Sequence, residues 1–188
     1  MAVFDLAYGS VLLDITGSSL TLRNVRAGGA ITDTMALQKS LQPPSPPNIS
    51  NLTVASGQSY VVPASGLQAG GTVYIDRAYT FTIVPSSIQG AAYIRTANND
   101  KTATTANFLS FTVNQPVSVY VAHDVRLTPK PSWLSTFTDT GANLVTSDTT
   151  LRLFVRAFPA GTITLGGNAS GASGSMYSVI VQPQSPPS

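Results

Sequence analysis

Apolar and polar residues alternate along this chain in short runs, which is the pattern of half-buried β-strands. Between residues 117 and 122 valine occupies every second position, and between 151 and 156 apolar residues alternate with Arg152 and Arg156. Runs of this kind predict nine strands, at residues 59–62, 72–75, 80–84, 91–95, 109–113, 117–122, 151–158, 162–165 and 176–181. With turn residues between them, they predict an all-β domain, a jelly-roll-like or immunoglobulin-like β-sandwich. The pattern does not choose between the two topologies.

Two stretches depart from the strand pattern. The longest irregular one, residues 124–135, contains Pro129 and Pro131 and is predicted to be a loop that ends at Trp133. Residues 32–39 are the one stretch where a short capped helix fits.

Prolines divide the chain into parts. Four of the five residues 43–47 are proline, a composition that favours an extended, semi-rigid spacer without ladder hydrogen bonds. The sequence therefore predicts an N-terminal strand arm (1–42), a proline-rich hinge (43–51), the sandwich domain (52–182) and a proline-rich tail (183–188).

The arm is apolar, although about forty residues rarely bury enough surface to fold alone. Exposed apolar strands adhere to other strand edges, so an arm of this kind needs a partner. We therefore expect its large apolar side chains to form a contact between subunits: Phe4, Leu6, Tyr8, Val11, Leu12, Ile15, Leu20 and Leu22.

Composition narrows the classes of function. Charged residues make up 10% of the 188 positions, and the chain has neither glutamate nor cysteine. The absence of cysteine excludes disulfides and thiolate chemistry. The ten lysines and arginines are scattered singly, so the net charge of +2 does not predict a nucleic-acid partner. No apolar run approaches eighteen residues, and we expect no membrane span.

An extracellular location is favoured by the low charge and the abundance of serine, threonine and glycine. The first residues do not resemble a signal peptide, because Asp5 interrupts the apolar stretch and no basic residues precede it, so we expect a signal that was removed or lies outside this numbering. Asn48, Asn51 and Asn168 begin Asn-x-Ser/Thr triplets and are candidate glycosylation sites, although chance also explains such triplets in this composition.

Candidate catalytic groups are few. His123 is the only histidine and Asp124 follows it, but neighbouring residues of a strand point to opposite faces, and no Gly-x-Ser-x-Gly elbow presents a nucleophile. Paired carboxylates for glycoside hydrolysis would have to be aspartates, and nothing in the sequence selects a pair. We predict no catalytic residue, no cofactor and no enzyme activity.

Loop oxygens and one tryptophan are the remaining candidates for ligand binding. Residues 98–100, Asp124, Asp139 and 167–168 offer oxygens suited to calcium, but turn geometry explains them and Asp-x-Asp-x-Asp spacing is missing, so we predict no metal site. Trp133 is interpreted as a core side chain rather than as an exposed platform for a sugar.

Several stretches between about residue 76 and residue 182 are specific enough to suggest a relationship. They are Asp-Arg-Ala-Tyr-Thr at 76–80, Ile-Arg-Thr-Ala-Asn-Asn-Asp-Lys at 94–101, Val-Tyr-Val-Ala-His-Asp at 119–124, Pro-Ser-Trp-Leu at 131–134, Phe-Thr-Asp-Thr-Gly at 137–141 and Phe-Pro-Ala-Gly-Thr-Ile-Thr-Leu-Gly-Gly-Asn at 158–168. Through them the chain resembles a β-sandwich accessory domain of secreted bacterial multidomain proteins, some of which act on polysaccharides. The resemblance implies a non-catalytic module and does not extend to the arm.

Two functions follow from these expectations. The leading hypothesis is a subunit of an extracellular filament, a helical homopolymer of identical subunits in which the arm of one copy inserts into the sheet of the next, with glycans as further partners. The alternative is a non-catalytic carbohydrate-binding module whose arm folds back to complete its own sandwich.

Overall fold

The structure is a computed structural model that describes residues 9–38, 45–168 and 174–184. The chain divides into two compact units, Met1–Pro43 and Pro44–Ser188. The predicted contact residues Phe4, Leu6 and Tyr8 lie outside the described residues. Among the residues described, no helix has the length and apolar character needed to cross a membrane.

The first unit contains a three-stranded antiparallel sheet of β1 (Gly9–Thr16), β2 (Ser19–Arg26) and β3 (Ile31–Gln38), paired in that order. Gly17 lies at the first turn with a positive φ of 58°, a conformation that glycine adopts without steric cost. The helix predicted at residues 32–39 is wrong. Residues 32–38 form most of β3, because β2 pairs with them and the β-branched side chains of Thr32 and Thr34 suit a strand.

One face of this first sheet is apolar. The strand register places seven apolar side chains together on it: Val11, Leu13, Ile15, Leu20, Leu22, Met35 and Leu37. Five of the seven are at least 49% exposed, and Leu20 and Leu22, on the central strand, are partly buried. The opposite face is mostly polar, although it includes Leu12, and holds an ion pair between Arg23 and Asp14 at 3.2 Å. The sheet is therefore amphipathic, with its apolar face largely open.

The second unit contains two sheets. Nine strands follow along the chain: β4 (Ile49–Val54), β5 (Phe81–Ile83), β6 (Ala92–Ile94), β7 (Leu109–Val113), β8 (Val117–Asp124), β9 (Thr138–Thr146), β10 (Thr150–Phe158), β11 (Gly161–Leu165) and β12 (Ser178–Pro183). One antiparallel sheet has the order β5-β9-β10-β8-β12-β6, and the other has the order β11-β7-β4. Short 3-10 helices occur at Ser86–Ile88, Asn98–Thr102 and Ser132–Thr136.

The two sheets of the second unit form a sandwich around one hydrophobic core, which confirms the all-β sandwich prediction. Its largest fully buried side chains are Tyr74, Tyr93, Tyr177, Phe81 and Phe111. Phe81 and Tyr93 belong to the opposite edge strands of the six-stranded sheet, yet their ring centroids are 5.4 Å apart. The sheet therefore curls until its edge side chains meet.

Two predicted strands form only isolated bridges, and two strands were missed. Val61 bridges to Arg95, whereas the segment 72–75 makes single bridges instead of a ladder. Strand β9 was missed because Thr140 and Gly141 fit a turn as well as a strand. They form a bulge within β9 instead, where the register with β10 shifts and Gly141 has a φ of +79°. Strand β4 begins at Ile49, inside the stretch that the sequence assigned to the hinge.

Deleting residues 1–44 is expected to leave the second unit folded, because the buried core belongs to residues of that unit. The melting temperature should change by less than about 4 °C, the shift that corresponds to roughly 1 kcal/mol in a chain of this size. Fluorescence of 1-anilinonaphthalene-8-sulfonate, which reports exposed apolar surface, should fall at the same time.

The matched variants keep the full chain. Replacing Val11, Leu13 and Ile15 together by threonine should reduce the dye fluorescence as the deletion does, whereas Leu12→Thr, on the opposite face, should reduce it much less. A truncated chain without a cooperative thermal transition would show that the second unit does not fold on its own.

Candidate functional site

A shallow groove of about 200 Å³ opens between the loop after β8 and the neighbouring strands β9 and β10. We call it the Lys130 groove; it is lined by Lys130, Pro131, Ser132, Leu134, Ser135, Phe137, Asp139 and Phe154. Phe137 and Phe154 are each 8% exposed and contribute apolar surface, and the two serines lie exposed beside them. An apolar concavity with a few polar groups at its rim is the usual form of a small-ligand site.

Strand β10 supplies a row of side chains that continues beyond the groove. Because successive side chains of a strand point to opposite faces, Arg152, Phe154, Arg156 and Phe158 share one face of β10, and we call this row the β10 strip. Leu151 and Leu153 occupy the other face and belong to the core. The strand pattern thus places two arginines and two phenylalanines in alternation along one line.

Lys130 brings its ammonium over the β10 strip. The Nζ atom lies 5.6 Å from the centroid of the Phe154 ring and 3.4 Å from Nδ1 of His123. A lysine can only donate, so Nδ1 of His123 is the acceptor. Burial lowers the pKa of Lys130, against the opposing effects of the Asp124 and Asp139 carboxylates. Among the described residues, no carboxylate lies within ion-pair distance of this ammonium.

The two arginines of the β10 strip have different partners. Arg152 Nε donates to Asp139 Oδ1 at 2.6 Å, at the β9 bulge, where the Gly141 amide donates to the same oxygen. These two donors hold the pKa of Asp139 below its ordinary value. Arg156 lies 4.9 Å from the centroid of the Phe158 ring, and its Nη1 donates to Thr136 Oγ1 at 3.0 Å. Within the described part of the chain Arg156 has no carboxylate partner.

Asp124 lies under the surface and serves a structural network. It is fully buried and accepts hydrogen bonds from the Arg126 guanidinium (2.7 Å), the Ser175 amide (2.8 Å) and Thr149 Oγ1 (3.2 Å). Arg126 also pairs with Asp148 at 2.9 Å. Burial alone would raise the pKa of Asp124, but the hydrogen bonds from Arg126 and Ser175 outweigh it and hold the pKa below its ordinary value.

His123 is also fully buried, on the opposite side of β8 from Asp124. Its cross-strand neighbour is Arg152, and the Lys130 ammonium approaches its ring. Burial and the nearby Lys130 charge lower the pKa of His123 to about 4. The imidazole is therefore neutral at pH 7.

The loop oxygens considered for calcium bond to protein donors instead. Asp100 Oδ2 accepts from Tyr60 Oη and Ser56 Oγ, and Asn98 Oδ1 accepts from the Met176 amide. In the described ranges, no three histidine, aspartate or glutamate side chains come together in a way that could hold a metal ion.

The other sequence-predicted positions are placed as follows. Val11, Ile15, Leu20 and Leu22 lie on the apolar face of the first sheet, and Leu12 lies on the opposite face. Asn48 and Asn51 are exposed. Asn168 is fully buried, and its Nδ2 donates to the Lys101 and Ser175 carbonyl oxygens. Its glycosylation, like that of Asn48 and Asn51, stays a prediction.

Trp133 is packed at the margin of the core. Its indole N–H donates to the Gly167 carbonyl at 2.9 Å, and its ring contacts Phe137 and Tyr177 edge to face. A β-carbon on Gly166 would lie 2.3 Å from the indole, so glycine is required for this approach. Sequence reasoning missed the β10 strip, although the alternation Arg-Phe-Arg-Phe at positions 152, 154, 156 and 158 was a visible signal for it.

The chain is similar to parts of known carbohydrate-active enzymes. No family model matches the chain. A β-glucuronidase of Formosa agariphila is 27% identical over 132 residues, which cover 68% of this chain and 13% of that protein. The solved structure of a β-glucuronidase from glycoside hydrolase family 2 superposes with a TM-score of 0.65 and 20% identity, over 88% of this chain and 20% of that one. A GH138 enzyme that targets pectin rhamnogalacturonan II superposes with a TM-score of 0.47, too low to support an inference.

These comparisons correct the filament hypothesis. The β-glucuronidases that the chain is similar to are glycoside hydrolases and not filament or fibre proteins, so the interpretation as a structural fibre subunit assembled by strand exchange is wrong. This chain spans 13% of the β-glucuronidase sequence and 20% of the solved β-glucuronidase chain. The similarity between these proteins and this chain supports the prediction that the chain is a β-sandwich accessory domain.

Proposed function

We propose that this chain is a non-catalytic carbohydrate-binding accessory module of a secreted protein that acts on polysaccharides. The observation that carries the proposal is the similarity to a β-glucuronidase across 68% of the chain, together with the sandwich fold shared with a solved β-glucuronidase structure. A module that covers 13% of such an enzyme has the size of an accessory domain.

The way the chain uses its carboxylates supports a non-catalytic role. Glycoside hydrolysis ordinarily needs two carboxyl groups that flank the scissile bond, one of them free to donate a proton. Asp124 is sealed beneath the surface by Arg126 and Ser175, and Asp139 is held by Arg152 and the Gly141 amide. Both pKa values are lowered, which is the wrong direction for a general acid at neutral pH.

The Lys130 groove and the β10 strip support sugar binding. The groove is smaller than the roughly 300–1,000 Å³ of sites that enclose drug-sized ligands, so it suits a single ring of a longer glycan. The exposed serines Ser132 and Ser135 offer hydroxyl groups at its rim.

The proposal is tested by electrophoresis of the purified chain through gels that contain dissolved polysaccharides, with parallel assays on chromogenic glycosides that include a β-glucuronide. Retarded migration by at least one polysaccharide, without release of chromophore, is the expected result. Chromophore release that survives repurification would contradict the non-catalytic role, and unretarded migration through every polysaccharide gel would contradict carbohydrate binding.

A further inference from the structure

We propose that the glycan bound along the Lys130 groove and the β10 strip is acidic, a polymer that carries uronate carboxylates. This inference rests on the proposed function and adds the chemical class of the ligand. It comes from the charges and their partners on this surface.

The surface has an excess of positive charge. Lys130, Arg152 and Arg156 line it with one acid, Asp139, whose carboxylate already pairs with Arg152. Two cations are thus left without a carboxylate partner among the described residues. In a chain where only 10% of residues are charged, this imbalance on one face favours an anionic ligand.

The Lys130 ammonium is placed to bind such an anion strongly. It is partly buried, over the ring of Phe154, and its polar neighbour is the neutral imidazole of His123. A partly desolvated cation has lost some of its hydration, and a carboxylate that enters the groove would replace it with a charge-assisted hydrogen bond. The apolar walls reduce screening by water and strengthen the attraction.

The spacing along β10 indicates a chain of sugars rather than a single one. Arg152 and Arg156 are four residues apart on one strand, which corresponds to about 14 Å. When one sugar occupies the groove, the next sugar of the chain can contact Arg156 and the aromatic ring of Phe158. Nucleic acid fits less well, because tight phosphate binding uses several converging cations and this surface offers two that are unpaired.

The test measures binding by titration calorimetry with oligosaccharides in matched pairs. Each pair consists of a neutral tetrasaccharide and the same tetrasaccharide oxidised to the carboxylate at C6 of every ring, with β-1,4-glucan, β-1,3-glucan and α-1,4-galactan backbones. At least one acidic member should bind about tenfold or more tightly than its neutral parent, and added salt should weaken that binding.

Variants then locate the site. Lys130→Met should weaken binding of the acidic tetrasaccharide about tenfold. This factor corresponds to the lower end of the free energies measured for hydrogen bonds to charged groups, because the site is half-exposed. Arg156→Gln should weaken it by a smaller factor, because its guanidinium is exposed. Lys101→Met removes the same charge from the short helix Asn98–Thr102, outside the groove, and should leave binding unchanged. Thermal melting verifies that each variant is folded.

The possible results separate this inference from the proposed function. Equal binding of neutral and acidic members, or a loss of affinity in Lys101→Met equal to that in Lys130→Met, overturns the acidic-glycan inference and leaves the proposed function in place. Binding of neither member of any pair, in a chain that polysaccharide gels also fail to retard, overturns both. Tighter binding of a twelve-nucleotide single-stranded DNA than of every acidic tetrasaccharide would assign the surface to nucleic acid instead.

Discussion

Replacing Asp124 by asparagine is expected to lower the free energy of unfolding by about 3 kcal/mol. The carboxylate is fully buried and accepts from the Arg126 guanidinium, the Ser175 amide and Thr149 Oγ1. An asparagine in its place removes the charge opposite Arg126 and turns an amide donor towards groups that also donate. Because Arg126 keeps access to water, the loss stays at the lower end of the range for a broken buried pair.

The matched control is Asp139→Asn, which removes the same charge from another aspartate–arginine pair. Asp139 is exposed and its pair with Arg152 lies at the surface, so this variant should unfold at nearly the denaturant concentration of the parent. Urea denaturation at pH 7 measures both. A loss in Asp124→Asn no greater than that in Asp139→Asn would show that the buried network does not stabilise the fold.

Stability is expected to fall as the pH is lowered from about 6.5 to about 4, by roughly 1 kcal/mol per pH unit from His123 alone. The pKa of this buried imidazole is lowered to about 4 in the folded chain, and in the unfolded chain it returns to about 6.5. Between these pH values the imidazole binds a proton in the unfolded state but not in the folded state, so lowering the pH favours unfolding. The full contribution of His123 to the free energy of unfolding is about 3 kcal/mol. It is present above pH 6.5 and is lost as the pH falls to about 4.

The variant His123→Gln tests the source of this pH dependence. It removes the titrating group but keeps a polar side chain that can accept from Lys130, so its stability should depend much less on pH over the same interval. Urea denaturation at half-unit steps between pH 4 and pH 7.5 provides the comparison. An unchanged slope in His123→Gln would assign the pH dependence to other groups.

Local pattern was sufficient to predict the strands with regular alternation. Strands β7, β8 and β10 lie where valine, leucine and phenylalanine recur at every second position. Strand β9 was missed because its bulge holds Gly141 at a positive φ, and a bulge glycine looks the same in sequence as a turn glycine. Hydrogen bonds to the neighbouring strand decide between a turn and a bulged strand at Gly141. Because that neighbour is placed by the tertiary fold, the local sequence does not show which one forms.

The candidate site combines residues whose proximity depends on the tertiary fold. Arg152, Phe154 and Arg156 could be placed on one face from their spacing alone, but Lys130 comes from a loop with no pattern to orient it. Likewise, the sequence offered Asp124 as a possible partner for His123. In the structure its strongest partners are Arg126, two residues later, and Ser175, in the segment just before β12.

The sequence was sufficient to identify the apolar positions of the N-terminal segment but not to show what covers them. Val11, Ile15, Leu20 and Leu22 do share one largely open face, and the fibre contact was predicted from the apolar character of a segment too short to fold alone. Exposed apolar surface indicates that something can cover it and does not identify what does. Association of identical copies therefore stays a prediction, separate from the filament hypothesis that the relatives contradict.

The position of β12 in the six-stranded sheet has a consequence for synthesis on the ribosome. β12 lies between β8 and β6 and is hydrogen-bonded to both, yet β6 ends at Ile94 and β12 begins only at Ser178. A nascent chain that has already released β6 must hold that short edge strand unpaired until almost the whole domain has emerged. During that interval one edge of β8 also stays unpaired, and a chain that stops before Ser178 would leave β8 as an open sheet edge and β6 without its ladder.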